Sequence, residues 1–399
     1  MKILYLINGL GFSKNSSIGG ADKRAVEIIR EGNKDKNNSF AVLTTQTGYN
    51  IFKEKEDLET TYYVIKQPFW WPDFINNYLI GRVLSYIYST IYSLFLLPKL
   101  KEYDIFFASS DFFFDIFPGF IAKIFLKKKF LCMIHHYIKD PFTRKGNIII
   151  NTLMYLSQSF GIWFIGNFSD LIFLYDTDEG RIIRNLLKRR KDKDFFFVQN
   201  GINPKLIDQA QEPKEKIYDA CFVGGIRYSK GINDFVPIWT KVLEKFPQAK
   251  FLIIGGGTKE IVDYLKEKIK TNHLENNIIL AGPLSGIDLY TKLKTSKMFL
   301  FPSYEEGWGI VICEAMYCKL PIICYNLPAY KIFGEDLNKI NPGNWEELAN
   351  YVIKYLENQT QIEILGEKLK NIAFQFTWEN ISKKEIQIFK EILSTKVNN

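Results

Sequence analysis

The chain repeats one pattern: a short unbroken apolar run, then a longer stretch with helical spacing. Runs of this kind are KILYLI (2–7), FAVLTT (40–45), DIFFAS (104–109), KFLCMIH (129–135), LIFLYD (171–176) and FFFVQN (195–200). YDACFVG (218–224), AKFLIIG (249–255), NIILAG (277–282), MFLFPS (298–303) and PIICYN (321–326) follow. Strands with one wet face alternate apolar and polar residues; continuous runs suit parallel strands covered on both faces. The stretches 231–246 and 260–271 between them carry helical spacing, so the chain reads as βαβ units of an α/β fold.

At 399 residues the chain exceeds what one hydrophobic core usually serves, which predicts two domains. The polar stretch NPKLIDQAQEPKEKIYD (203–219) interrupts the rhythm near the middle and marks the boundary. The last segment is helical and is expected to pack back across it. With 47% apolar and 24% charged residues, general disorder is excluded. The net charge of +8 favours anionic partners without choosing among them. Cys132, Cys221, Cys313, Cys318 and Cys324 sit in apolar surroundings without a Cys-x-x-Cys pair, as buried thiols of a reducing compartment do. With only three histidines, a Cys/His zinc site is not expected. The opening MKILYLING has no charged leader or long apolar region, so no secretion signal is expected. Val83–Leu97 is shorter than the roughly 20 residues that span a bilayer, so it is expected to lie on a membrane at most and not to cross one. The basic runs at 127–129 and 188–193 read as solvated helix ends.

Glycine turns follow three strands. Gly9 and Gly11 start a dinucleotide fingerprint, but its third glycine is Lys14 and the next strand ends without the acid that would hold a ribose, which disfavours NAD. Gly19 and Gly20, just before a helix, are either a plain turn or a place where amides approach an anion. The turn IIGGGTKE (253–260) reads as structural. In FVGGIRYSKGINDF (222–235), Arg227 and Lys230 are either solvated loop charges or a pair suited to a pyrophosphate. Asp176 and Asp178 resemble a metal-binding Asp-x-Asp, but a strand end followed by a helix cap explains them more simply. His135 and His136 end a strand, where ligands of open α/β sheets bind.

The stretch FPSYEEGWGIVICEAMYCKLPIIC (301–324) carries two acids in an apolar run. Gly307 and Gly309 flank Trp308, so Glu306 lies on a loop and the helix starts near Ile310, with Glu314 in its early turns. Two carboxylates from a loop and a helix suit a polyhydroxylated ligand, since each accepts several hydroxyl hydrogen bonds. The neighbours of Glu314 imply burial, and a buried acid needs a partner.

PSYEEGWGIVICEAMYCKLPII resembles the Glu-x7-Glu signature of retaining glycosyltransferases of family 4. GGADKR, MIHHY, VQNGIN, FVGGIRYSKG, FLIIGGG, AGPLSGIDLYTKL and NPGNWEELANYV agree with it in order across most of the chain. The resemblance implies a GT-B fold: two Rossmann-like domains facing each other across a cleft, with a C-terminal helix packing back on the N-terminal domain. It implies an acceptor-binding domain over 1–202, a nucleotide-sugar domain over 203–375 and a returning helix over 376–399. Glu314 would hold the ribose and Glu306 the sugar hydroxyls. The amides of Gly307, Trp308, Gly309, Ile310 and Val311 would line the sugar and phosphate site, and Lys230 would neutralise the leaving diphosphate. His135 would contact the sugar near its anomeric carbon, with Gly19 and Gly20 near the phosphates. No metal or other cofactor is implied; the nucleotide sugar is a substrate. Two departures stand out. Gly225 occupies the place of a family arginine, with Arg227 two residues later, and Lys319 stands where a helix-ending glycine is common.

The expected activity is metal-independent, retaining transfer of a hexose-type sugar to a lipid-linked or surface-glycan acceptor at the cytoplasmic membrane face. The aromatic segments 67–79 and 111–129, which adjoin lysines, read either as a peripheral membrane contact or as core helices of a Phe-rich protein. The alternative is a GT-B subunit that binds a partner without turnover. Nucleic acid is not an expected partner, because no basic stripe or known module is present.

Overall fold

The computed structural model describes residues 1–12, 18–144, 147–188 and 190–394. Lys14, Arg189 and the end of the 376–399 segment lie outside the described residues. The chain divides into two compact units: 1–141, 148–199 and 378–399 form the first, and 142–147 with 200–377 the second.

In the first unit β1 (Lys2–Ile7), β2 (Ser39–Thr45), β3 (Thr61–Ile65), β4 (Ile105–Ala108), β5 (Lys129–Ile134), β6 (Leu171–Tyr175) and β7 (Phe195–Val198) form one parallel sheet, ordered β3-β2-β1-β4-β5-β6-β7. Its helices are α1 (Gly20–Gly32), α2 (Gln46–Tyr49), α3 (Leu79–Leu96), α4 (Phe113–Leu126), α5 (Ile148–Phe168) and α6 (Asp178–Leu186). In the second unit the helices are α7 (Pro204–Gln209), α8 (Ile232–Lys245), α9 (Lys259–Thr271), α10 (Gly286–Lys294), α11 (Ile310–Tyr317), α12 (Trp345–Leu356) and α13 (Gln359–Ala373). Its strands β8 (Tyr218–Val223), β9 (Phe251–Ile254), β10 (Ile278–Gly282), β11 (Ser296–Phe301), β12 (Ile322–Tyr325) and β13 (Asn338–Ile340) form a second parallel sheet, ordered β10-β9-β8-β11-β12-β13. The last helix, α14 (Trp378–Ser394), belongs to the first unit and packs on α1.

Alternate residues of each continuous run serve opposite sheet faces. In the first unit Leu4, Leu6 and Phe106 join one core. Tyr5 and Phe107 point the other way, and Phe107, Phe40 and Phe173 pack around Phe389 of α14. The strands absent from the sequence reading, β3 and β13, are edge strands, and β13 is short and polar.

Two sequence readings are corrected, and for 111–129 the core-helix alternative fits most of the segment. Val83–Leu97 is part of a helical stretch, Leu79–Leu100, that is long and apolar enough to cross a membrane by length and composition, as is α5. The segment 111–129 is mostly a core helix: Phe117 and Phe120 of α4 pack into the core shared with α5, leaving Ile124 and Phe125 outside. In the run 188–193, Arg190 is no solvated end; its guanidinium donates to the carbonyls of Gly166 and Ser169 at 2.7 Å, capping the end of α5.

Candidate functional site

In the second unit the strand order reverses between β8 and β11, which pair directly. Ligands of open α/β sheets bind past the strand ends at such a switch point. The two loops that leave it are 224–231 and 302–309, and they carry the cations and the first acid singled out in the sequence.

Glycine lets the loops touch. Gly231, at φ +75°, starts α8, and a Cβ there would lie 2.0 Å from the Pro302 carbonyl oxygen. The Tyr304 amide donates to the Ser229 carbonyl at 2.8 Å. Below, the hydroxyls of Tyr304 and Tyr325 donate to the buried Asp234 of α8 at 2.7 and 2.8 Å. Gly255–Gly257 is a supporting turn: a Cβ at Gly255 would lie 1.8 Å from the Gly224 carbonyl oxygen.

This scaffold pairs Lys230 with Glu306, both mostly enclosed. Neighbouring Glu305 takes a two-pronged grip from Arg144, both bonds 2.9 Å, so a segment far upstream braces the acidic loop. Arg227 is exposed, and its guanidinium lies over Gly225: a Cβ at 225 would meet its Nε at 2.7 Å and an Nη at 2.9 Å. The guanidinium thus fills the space beside the position where the resemblance expects an arginine.

Gly309, at φ +96°, then turns the chain into α11. The Trp308 ring is buried edge-on to Phe333 and Phe376, so its contribution is its backbone. Among the described residues, the N–H groups of Gly307, Trp308, Gly309, Ile310 and Val311 meet no acceptor. Successive unsatisfied amides at a helix N-terminus attract anions. Glu314 lies one turn on, 6% exposed, and accepts a 2.8 Å bond from the Tyr290 hydroxyl of α10. The acids therefore stand on a loop and a helix, and Tyr290 is the partner burial required. At the other end of α11, Lys319 adopts a left-handed φ of +61°.

The first unit's switch point lies between β1 and β4; several of its polar groups are bonded inward, while the buried Oδ1 of Asn8 meets no donor among the described residues. The Asn8 amide donates to Asp115 at 2.8 Å, and the Gln158 side-chain amide donates to Asp111 at 2.8 Å. Desolvation lifts Asp111 to about 7 and Asp115 to about 8. His135 has both ring nitrogens engaged, Nε2 with the Ser109 carbonyl at 2.7 Å and Nδ1 with the Tyr175 hydroxyl at 3.0 Å. A carbonyl only accepts, so Nε2 carries the proton and Nδ1 receives the Tyr175 hydrogen. Burial pulls His135 down to about 3. Gly19 caps α1 and its N–H donates to Asp22 at 3.0 Å; Gly20 is the first helical residue. Gly19 has neither positive φ nor a close neighbour that a Cβ would strike. Thr177 caps α6, and Asp176 and Asp178 face Arg181 at 3.6 and 3.7 Å.

Sequence reasoning missed Tyr290, Arg144, Tyr175 and the Asp234–Tyr304–Tyr325 cluster. Among these, only Asp234, an acid in the first turn after the cation loop, carried a local signal.

Residues 204–374 match the family of glycosyl transferases group 1. Over 396 residues the chain is 26% identical to an uncharacterized glycosyltransferase of Methanocaldococcus jannaschii, covering 96% of each. Over 161 residues it is 30% identical to the alpha-galactosylglucosyldiacylglycerol synthase of Streptococcus pneumoniae, covering 40% of this chain and 41% of that one. Among solved structures, Anabaena HepE in complex with UDP and glucose superposes with a TM-score of 0.75 at 17% identity, covering 98% of this chain and all of HepE. The sucrose-phosphate synthase of Thermosynechococcus elongatus gives 0.76 at 14% identity, covering 99% of this chain and all of that one. The fold is GT-B, with two Rossmann-like parallel sheets.

Proposed function

We propose that the protein is a retaining, metal-independent glycosyltransferase of the hexosyltransferase type. It moves a sugar from a nucleotide-sugar donor to a lipid-linked or surface-glycan acceptor at the cytoplasmic face of the membrane. The observation that carries this reading is the row of five unsatisfied amides at 307–311, flanked by Lys230, Arg227, Glu306 and Glu314. Amide donors with two cations suit a diphosphate; carboxylates on either side suit hydroxyls of a sugar and a ribose.

In this reading Glu314, oriented by Tyr290, holds the ribose. The amides and Arg227 take the diphosphate. Lys230 exchanges part of its attraction to Glu306 for the leaving phosphate, and Glu306, braced through Glu305 and Arg144, turns to the sugar hydroxyls. Stabilising charge where it develops on the leaving group is the main chemical work available to such a site. Gly19, Gly20 and His135 are the first unit's proposed contributions. Gly19 supports this because neither its φ nor a close contact requires a glycine, and His135 acts as a neutral, oriented ring rather than a base. The Arg181 contacts support reading Asp176 and Asp178 as structural acids. The glycolipid synthase and HepE–UDP–glucose names support the acceptor class and the donor class respectively.

The test is release of nucleoside diphosphate from a panel of nucleotide sugars with lipid and glycan acceptors, with and without chelator. Chelator-insensitive release, abolished by Glu306→Ala, with an unchanged anomeric configuration in the product, is the expected result. The silent-subunit alternative predicts no nucleotide binding at all; the guanidinium over Gly225 favours the enzyme.

A further inference from the structure

The most unusual surface of the molecule belongs to the first unit, away from every residue assigned above. On α3, Gly81, Ser85, Ser89 and Ser93 recur every fourth residue and are buried. Their hydroxyls bond back to helix carbonyls, Ser89 to Ser85 and Ser93 to Ser89 at 2.8 and 2.7 Å, and α3 packs against α4. Directly opposite, Val83, Ile87, Ile91 and Phe95 also recur every fourth residue and are 40–76% exposed. An amphipathic helix of a globular protein normally turns its large apolar residues inward; here the small ones face in and the large ones face out. α5 buries Ile162, Phe164 and Ile165 in the core but also leaves Ile149, Leu153, Leu156, Phe160 and Trp163 outside, and contains no charged residue. The loop before α3 adds a fully exposed Phe69 and the exposed Trp70, Phe74 and Tyr78.

We propose that this face of α3, α5 and the 66–78 loop docks on an anionic lipid bilayer, lying on it rather than crossing it. Crossing would require α3 and α5 to leave the layer in which their other sides are packed against α4 and the sheet. Lying flat buries the outward stripes among acyl chains while Trp and Tyr rings sit at headgroup level. Charge selects the occupant. Residues 66–101 hold four cations, Lys66, Arg82, Lys99 and Lys101, against one acid, Asp73, and α4 is followed by Lys127, Lys128 and Lys129. Basic residues near a bilayer surface are attracted to anionic lipid. A second copy docked by two-fold symmetry would set this acid-poor, cationic face against itself. The proposal gives the membrane-side acceptor reading its surface and rests on that reading for its purpose only; docking needs no turnover.

The experiment is co-sedimentation of the full chain with vesicles of phosphatidylcholine alone or mixed equally with phosphatidylglycerol. The comparison variant, Ile87→Glu, Phe95→Glu, Leu153→Glu, Trp163→Glu, changes only exposed positions; unchanged thermal unfolding shows that it folds. The wild type should pellet with anionic vesicles, less with neutral ones and less at high salt, and the variant should lose at least tenfold in binding. Wild-type protein that stays in the supernatant with anionic vesicles overturns the proposal. So does a wild-type dimer in sedimentation velocity that the variant dissolves while vesicle binding is absent. Failure of the transferase reading appears separately, as no nucleoside diphosphate binding by a protein that still pellets.

Discussion

The two sheets reverse their strand order in the same way, yet their switch points are finished oppositely. At β8/β11 the chain leaves five amides without acceptors among the described residues, beside the exposed Arg227, the Lys230–Glu306 pair and the Tyr290-held Glu314. At β1/β4 most of the polar groups described are consumed internally, by the Asn8 amide and Asp115, Gln158 and Asp111, and His135 with its two partners, with only the Asn8 Oδ1 left over among them. The difference separates the phosphate-binding chemistry from its complement: one unit presents unpartnered amides to a small anionic, hydroxyl-rich ligand, and the other holds a neutral, oriented His135 and offers an apolar outer face.

The largest effects should come from breaking the open switch point. Glu306→Ala and Lys230→Ala should each cut kcat/KM about 10²–10³-fold while leaving the fold intact, as loss of charge stabilisation in an active site does; steady-state kinetics with unfolding curves checks both. Arg227→Ala should weaken nucleoside diphosphate binding about tenfold, the loss of one charge-assisted contact. Adding Gly225→Arg to that variant should restore the affinity, because the added side chain enters the space the guanidinium leaves; calorimetric titration of single and double variants reads this directly.

The closed switch point sharpens the comparison through pH. Folded His135 holds its proton less tightly than an ordinary histidine, about 3 against 6.5. The folded state therefore binds fewer protons across that range, and its stability falls as pH drops from 6.5 toward 3. Asp115, lifted to about 8, acts in the opposite sense: its contribution is full below the ordinary carboxylate range and is lost as pH rises through 8. His135→Gln should flatten the acid limb of a stability–pH profile, and Asp115→Asn the neutral one. The smallest effect concerns Lys319, whose left-handed φ favours glycine: Lys319→Gly should stabilise the protein by up to about 1 kcal/mol in denaturant titration.

Most of the fold was legible because parallel strands buried on both faces write themselves as continuous apolar runs. β3 and β13, half-exposed or short at sheet edges, lack that signature. In the site, glycines flanking Trp308 separate Glu306 from Glu314 by backbone logic that a sequence carries. Tyr290 meeting Glu314, Arg144 gripping Glu305 and the guanidinium folding over Gly225 depend on which loops the topology brings together, and no spacing encodes them. The outward stripes of α3 and α5 were hidden for a related reason: an apolar residue looks the same facing a core or a solvent. Only the opposing small-residue stripe on α3 tells the two apart.

The central claim is that loops 224–231 and 302–309 with the start of α11 form a nucleoside diphosphate site. Isothermal titration of the wild type and of Lys230→Ala with UDP, GDP and ADP, without metal, tests it most directly. Binding of one of the three by the wild type, weakened at least tenfold in the variant, is the predicted result. No binding by the wild type, or equal binding by both proteins, would contradict it.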